Sequence, residues 1–181
     1  KEDTSNDNLE VVDTNDKSDY IDHSIFEAGN EISVDKKVDG ISFIAGNIIK
    51  YKGISTYGAL AGENVVISNT IEKDLFAAGN IINIEKEAKL GRDIYLAGSD
   101  ITIASDVNGK AYIAGSTINL EDITILGDVN IAATQLNIKG NVKILGTLNI
   151  NEDAKISNES NLEVKNKQTY KINTGDKAKS I

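Results

Sequence analysis

The fold is decided by Asp74-Leu75-Phe76-Ala77-Ala78-Gly79-Asn80-Ile81-Ile82-Asn83-Ile84, because its parts return along most of the chain. The phrase ending in Ala-Gly appears as Phe26-Glu27-Ala28-Gly29-Asn30, Phe43-Ile44-Ala45-Gly46-Asn47 and Leu60-Ala61-Gly62-Glu63 before it. After it come Tyr95-Leu96-Ala97-Gly98-Ser99, Tyr112-Ile113-Ala114-Gly115-Ser116 and the altered Asn130-Ile131-Ala132-Ala133-Thr134. The spacing is 16 to 19 residues throughout. A fixed period of that length marks a solenoid, in which one unit cannot bury its own apolar side and must stack on its neighbours.

Beyond each phrase lie two apolar residues separated by one: Ile32 and Val34, Ile49 and Tyr51, Val65 and Ile67, Ile82 and Ile84. Ile101 and Ile103, Ile118 and Leu120, and Leu136 and Ile138 continue the series. A period of two is that of a strand. A third, shorter apolar element closes each unit, often before a glycine that accepts a tight corner, as in Val38-Asp39-Gly40, Leu90-Gly91, Val107-Asn108-Gly109, Ile125-Leu126-Gly127 and Ile144-Leu145-Gly146.

The expected fold is therefore all-β: a single-domain parallel β-solenoid (β-helix) of about eight coils with a period of 16–19 residues. At coil spacings of about 4.8 Å it forms a rod on the order of 40 Å long. An antiparallel sandwich is the rival, since Asn108-Gly109 is a hairpin turn signal. Hairpins do not require one phrase at a fixed period.

The domain reading places a flexible acidic leader at 1–20, with the brief apolar run Leu9-Glu10-Val11-Val12, and the solenoid at 21–157. A polar C-terminal tail follows at 158–181, where Leu162-Glu163-Val164 and Tyr170-Lys171-Ile172 are possible edge strands. No amphipathic capping helix is legible, so unpaired strand edges at the ends imply end-to-end self-association.

In register, the position two before each alanine makes a column: Phe26, Phe43, Ala59, Phe76, Tyr95, Tyr112 and Asn130. Pointing inward it is core stacking, the reading favoured by the usual burial of Phe. Pointing outward, Phe26, Phe43, Phe76, Tyr95 and Tyr112 form an interaction stripe for protein or sugar. The row one before the alanine is also mostly apolar, and Glu27 argues for its exposure.

The composition narrows the functional classes. A net charge of −9 disfavours nucleic acid and anionic membrane surfaces as partners. The absence of Cys removes thiolate chemistry and cysteine metal sites. No apolar run reaches the roughly 20 residues of a membrane helix, so no direct insertion by this segment is expected.

Asp74, Asp93, Lys110 and Asp128 share a column that suggests calcium, but the lysine interrupts it and a solvated, charge-compensated corner is the expectation. His23 is the sole histidine and has no triad company, and phosphate-binding loops, acyltransferase hexapeptides and regular threonine arrays are all missing. We therefore expect no enzyme, no metal and no cofactor.

Asp74-Leu75-Phe76-Ala77-Ala78-Gly79-Asn80 and Asp93-Ile94-Tyr95-Leu96-Ala97-Gly98-Ser99 resemble the repeats of bactofilins and related polymer-forming proteins, over roughly residues 21–157. The resemblance implies a small β-helix that assembles end to end without nucleotide, as a cytoskeletal or envelope scaffold. The lack of proline and the longer acidic leader depart from the pattern common in that family. A leader of this kind resembles the spacer after a cleaved export signal, which places the chain on the extracytoplasmic or cell-surface side of a bacterium, with a cytoplasmic cytoskeletal location as the alternative.

The expected partner is a further copy of the chain, end to end or laterally. A cell-surface module that binds a cell-wall glycan or an envelope protein is the second reading. A solenoid enzyme acting on polysaccharide is a third, and would need acidic residues from neighbouring coils to converge in a groove with a basic partner.

Overall fold

The computed structural model describes residues 19–172. These build one sheet of 14 strands: β1 (Tyr20–Ile21), β2 (Ile25–Val34), β3 (Lys37–Tyr51), β4 (Ile54–Ile67), β5 (Thr70–Ile71), β6 (Leu75–Ile84) and β7 (Lys89–Leu90). They continue with β8 (Ile94–Ile103), β9 (Ala111–Glu121), β10 (Thr124–Ile125), β11 (Val129–Lys139), β12 (Val142–Asn151), β13 (Lys155–Ser157) and β14 (Leu162–Tyr170). A 3-10 turn, Glu159–Asn161, precedes β14. The strand pairs are parallel, and the chain winds into a β-solenoid of about nine turns.

Each turn has three sides. The first carries the Phe-x-Ala-Gly phrase, the second the Ile-x-Ile pair, and the third the short apolar element. The phrases stack residue on residue: Ala28 on Ala45, Ala45 on Ala61, Ala61 on Ala78, Ala78 on Ala97 and Ala97 on Ala114. The third side makes a column of nine: Ile21, Val38, Ser55, Ile71, Leu90, Val107, Ile125, Ile144 and Val164. Asn108-Gly109 is a corner of this winding rather than a hairpin, with the Asn108 amide donating to the Leu90 carbonyl one coil below.

The winding forces the glycines of the first corner. A Cβ on Gly62 would lie 2.3 Å from the Gly46 carbonyl oxygen, and one on Gly79 would meet Gly62 in the same way. Both would point toward the core, at Ile49 and Val65 respectively.

The interior is aliphatic. Ile49, Val65, Ile82, Ile101, Ile118 and Leu136 of the second side are fully buried, each stabilising the fold by roughly 1.5–3 kcal/mol relative to exposure. One coil departs from this pattern. Tyr51 lies fully buried among the aliphatics, and its hydroxyl bonds Ser55, which is 2.5 Å from the Ser42 hydroxyl. Small residues at 42 and 55 thus supply both the room and the polar partners that a buried phenol requires.

The winding continues past Ser157. β14 pairs with β12 from Val142↔Leu162 to Asn151↔Tyr170, adding a ninth, partial coil over the region read as tail. Leu162-Glu163-Val164 is therefore within a strand, whereas Lys171 and Ile172 follow it. The leader 1–18, including Leu9-Glu10-Val11-Val12, and residues 173–181 lie outside the described residues.

Candidate interaction surfaces

The aromatic column faces outward, correcting the expectation of a core role. Phe26 is 73% exposed, Phe43, Phe76 and Tyr112 are exposed, and Tyr95 is half-buried between its neighbours. Alternation explains the outcome. The corner glycine is the position whose Cβ would point in, so the alanine before it points out, the next residue back points in, and the aromatic points out. The row one before the alanine is accordingly the inner one, with Ile44, Leu60, Leu96, Ile113 and Ile131 buried. Glu27 misleads because it belongs to the first described coil, where no strand lies beneath β2 among the described residues, and it pairs there with Lys36 at 3.2 Å.

Side by side, the aromatic and alanine columns form one apolar groove of about 690 Å³, running from Phe26 to Asn130 and Ala132. Six coil steps make it about 29 Å long. The rings of Phe76 and Tyr95 stack at 4.6 Å and 7°, and those of Tyr95 and Tyr112 at 4.9 Å and 2°. Burial between neighbours, with Asp93 and Asp74 nearby, holds the Tyr95 phenol above its ordinary pKa. Ala59 leaves a break in the aromatic wall between Phe43 and Phe76. At the far end Tyr170 lines the groove, its hydroxyl donating to the Ile131 carbonyl at 2.6 Å.

The acidic corners serve the backbone of the next coil. Asp93 Oδ1 accepts the Lys110 amide at 2.8 Å, Asp128 the Thr147 amide at 2.9 Å, Asp106 the Thr124 amide at 2.8 Å and Asp122 the Asn141 amide at 3.0 Å. Ser24 does the same for Ile41. In four of these five cases the residue before the donor is glycine, because a Cβ there would collide with the accepting side chain: Gly40 on Ser24, Gly109 on Asp93, Gly140 on Asp122 and Gly146 on Asp128. Asp74 likewise accepts the Asp93 amide at 3.2 Å, and Arg92 in addition grips it at 2.8 and 3.1 Å and holds its carboxyl below the usual carboxylate pKa. Among the described residues, no three His, Asp or Glu side chains group as a metal site. His23 is an exposed ring beside Asp22 at 3.1 Å.

The two mouths of the solenoid complete the surface. At the first, β2 is the outermost strand of the first side among the described residues, and the Glu27–Lys36 pair reaches from that side to the opposite corner. At the last, β14 is outermost, and Lys167 pairs with Glu159 at 2.8 Å in the same direction.

The chain matches no family model, no curated protein and no solved structure.

The chemical character of the surfaces therefore rests on their own geometry. Face-to-face stacking engages the flat faces of Tyr95 with its two neighbours, so this part of the stripe offers ring edges and methyl groups. Sugars pack their C–H faces on open ring faces, whereas aliphatic and aromatic side chains pack readily against edges.

Proposed function

We propose that this chain is a non-enzymatic structural rod, a β-solenoid scaffold that self-associates in the bacterial envelope, on its extracytoplasmic side. One observation carries this reading: the outermost strands at the two mouths, β2 with 10 residues and β14 with 9, leave one edge each without a neighbouring strand among the described residues. Such edges present backbone donors and acceptors in the spacing a further coil requires. The repeat's resemblance to bactofilins supports the same reading.

The test is assembly of the full chain. Sedimentation velocity and negative-stain microscopy over a concentration series are expected to show rods that lengthen in steps of one molecule. A strict monomer at the highest concentration defeats the proposal.

A second reading, a binding module for an envelope protein or cell-wall glycan, is favoured by the outward apolar groove. Contiguous apolar surface of this extent on a rod marks a contact site. Phe76→Ser with Tyr112→Ser is expected to abolish lateral or partner contacts and leave end-to-end rods intact. Soluble cell-wall glycan fragments that change the tyrosine fluorescence, in a way the double variant loses, would favour the glycan reading over lateral packing.

A further inference from the structure

The two mouths carry the same device with its charges exchanged. Glu27 occupies an inward column of the first side, in register with the buried Ile44, and pairs across the mouth with Lys36. Lys167 occupies the neighbouring inward column, in register with the buried Leu148, and pairs across the other mouth with Glu159. The first mouth therefore has acid on the first side and base at the opposite corner. The last has base on the first side and acid at that corner.

From this we infer that copies join head to tail, with a polarity set by these four charges. The inference rests on the self-association proposed above. Register continuation places the Ile25 of the next copy over Lys167 and its Glu27 over Thr169, two residues along the strand from Lys167. Strand spacings of about 4.8 Å across and about 3.3 Å per residue along bring Lys167 and that Glu27 within side-chain reach. A two-fold junction of like mouths instead sets the first-side charges acid to acid or base to base, and like charges in an interface disfavour it. The chain's overall charge of −9 repels copies from one another, and local placement of opposite charges offsets that repulsion at the junction.

Inward charges at a strand edge have a competing use, which is to keep other strands away. The two uses predict opposite signs. If the charges couple copies, Glu27→Lys leaves base at both mouths and Lys167→Glu leaves acid at both, so each variant alone loses assembly. Mixing the two then restores it, in alternating order, and the double variant carrying both changes assembles by itself.

The experiment measures sedimentation velocity of the full chain, its two single variants, their equimolar mixture, the double variant and Lys167→Leu, at low and high salt, with circular dichroism as the check on folding. We expect the association midpoint to rise about tenfold or more for each single variant, where tenfold corresponds to about 1.4 kcal/mol. The mixture and the double variant return toward the parent value, and salt weakens the parent. Assembly that proceeds equally in all samples, or that strengthens on Lys167→Leu, overturns the charge-set polarity while leaving self-association standing. A parent chain that never associates overturns self-association itself.

Discussion

Glycine corners offer the sharpest mutational probe of stacking, because one substitution can be made with and without a coil beneath it among the described residues. An alanine Cβ at position 79 would sit 2.3 Å from the Gly62 carbonyl oxygen and 3.3 Å from a methyl of Val65, so backbone has to move. Forcing extra volume into a packed site costs about 1–3 kcal/mol. Reduced freedom of the unfolded chain offsets about 0.4–1 kcal/mol of that. Gly79→Ala is thus expected to destabilise by about 1–2 kcal/mol, or about 2–8 °C in Tm for a chain of this size. Position 29 is the same corner in the first described coil, and a Cβ there meets nothing closer than 3.7 Å among the described residues. Gly29→Ala is expected to be neutral or to raise Tm by a few degrees, since only the unfolded-state effect remains. Thermal and urea unfolding followed by circular dichroism measure both. Equal shifts for the two variants would refute the argument that the carbonyl of the coil below makes glycine necessary.

The outward stripe and the inward row separate cleanly: Leu75→Ala, at a fully buried position, is expected to cost about 2–5 kcal/mol in urea unfolding, whereas Phe76→Ser next to it costs under about 1 kcal/mol. Similar losses would mean that the aromatic row is packed inside. Asp128→Ala removes the acceptor of the Thr147 amide and is expected to lower stability by about 1 kcal/mol, with Asp128→Asn losing less because an amide oxygen still accepts. Burial pushes the Tyr51 phenol up to about 12 from the usual 10, despite its serine partners. A folded-state pKa raised in this way gives stability that is complete below pH 10 and is lost as pH rises through about 12. Tyr51→Phe is therefore expected to flatten the fall in stability across that window, and an unchanged alkaline slope would count against the buried phenol.

Much of this fold can be read from the repeat alone. The period fixed which residues stack, and the Ile32/Val34 to Leu136/Ile138 series is the buried second side. The direction of the aromatic column was harder, because Phe76 and Leu96 occupy adjacent rows of similar apolarity. Parity counted back from the corner glycine resolves it, since only an inward position with a carbonyl beneath it excludes a side chain. The corner carboxylates had a legible signal of another kind: Asp93 with Gly109, Asp122 with Gly140 and Asp128 with Gly146 recur at 16 to 18 residues, acceptor below and glycine above. Past Ser157 the amphipathic pattern fails, which hid the last coil. Lys167 and Thr169 stand where Leu148 and Ile150 stand one coil earlier, because no strand covers β14 on its outer edge among the described residues and polar residues are admitted there at inward positions.

In-register stacking can be measured directly by pulsed electron-spin distances along one exposed column, as the chain has no cysteine of its own to mislabel. With one label at Asn30→Cys and the other at Ser99→Cys, Ser116→Cys or Thr134→Cys, successive coils are expected at about 19, 24 and 29 Å, a rise of about 4.8 Å each. Distances that fail to increase from one coil to the next, or that shorten between Ser99 and Thr134 as strands turn back, would contradict the stacked solenoid and the rod built from it.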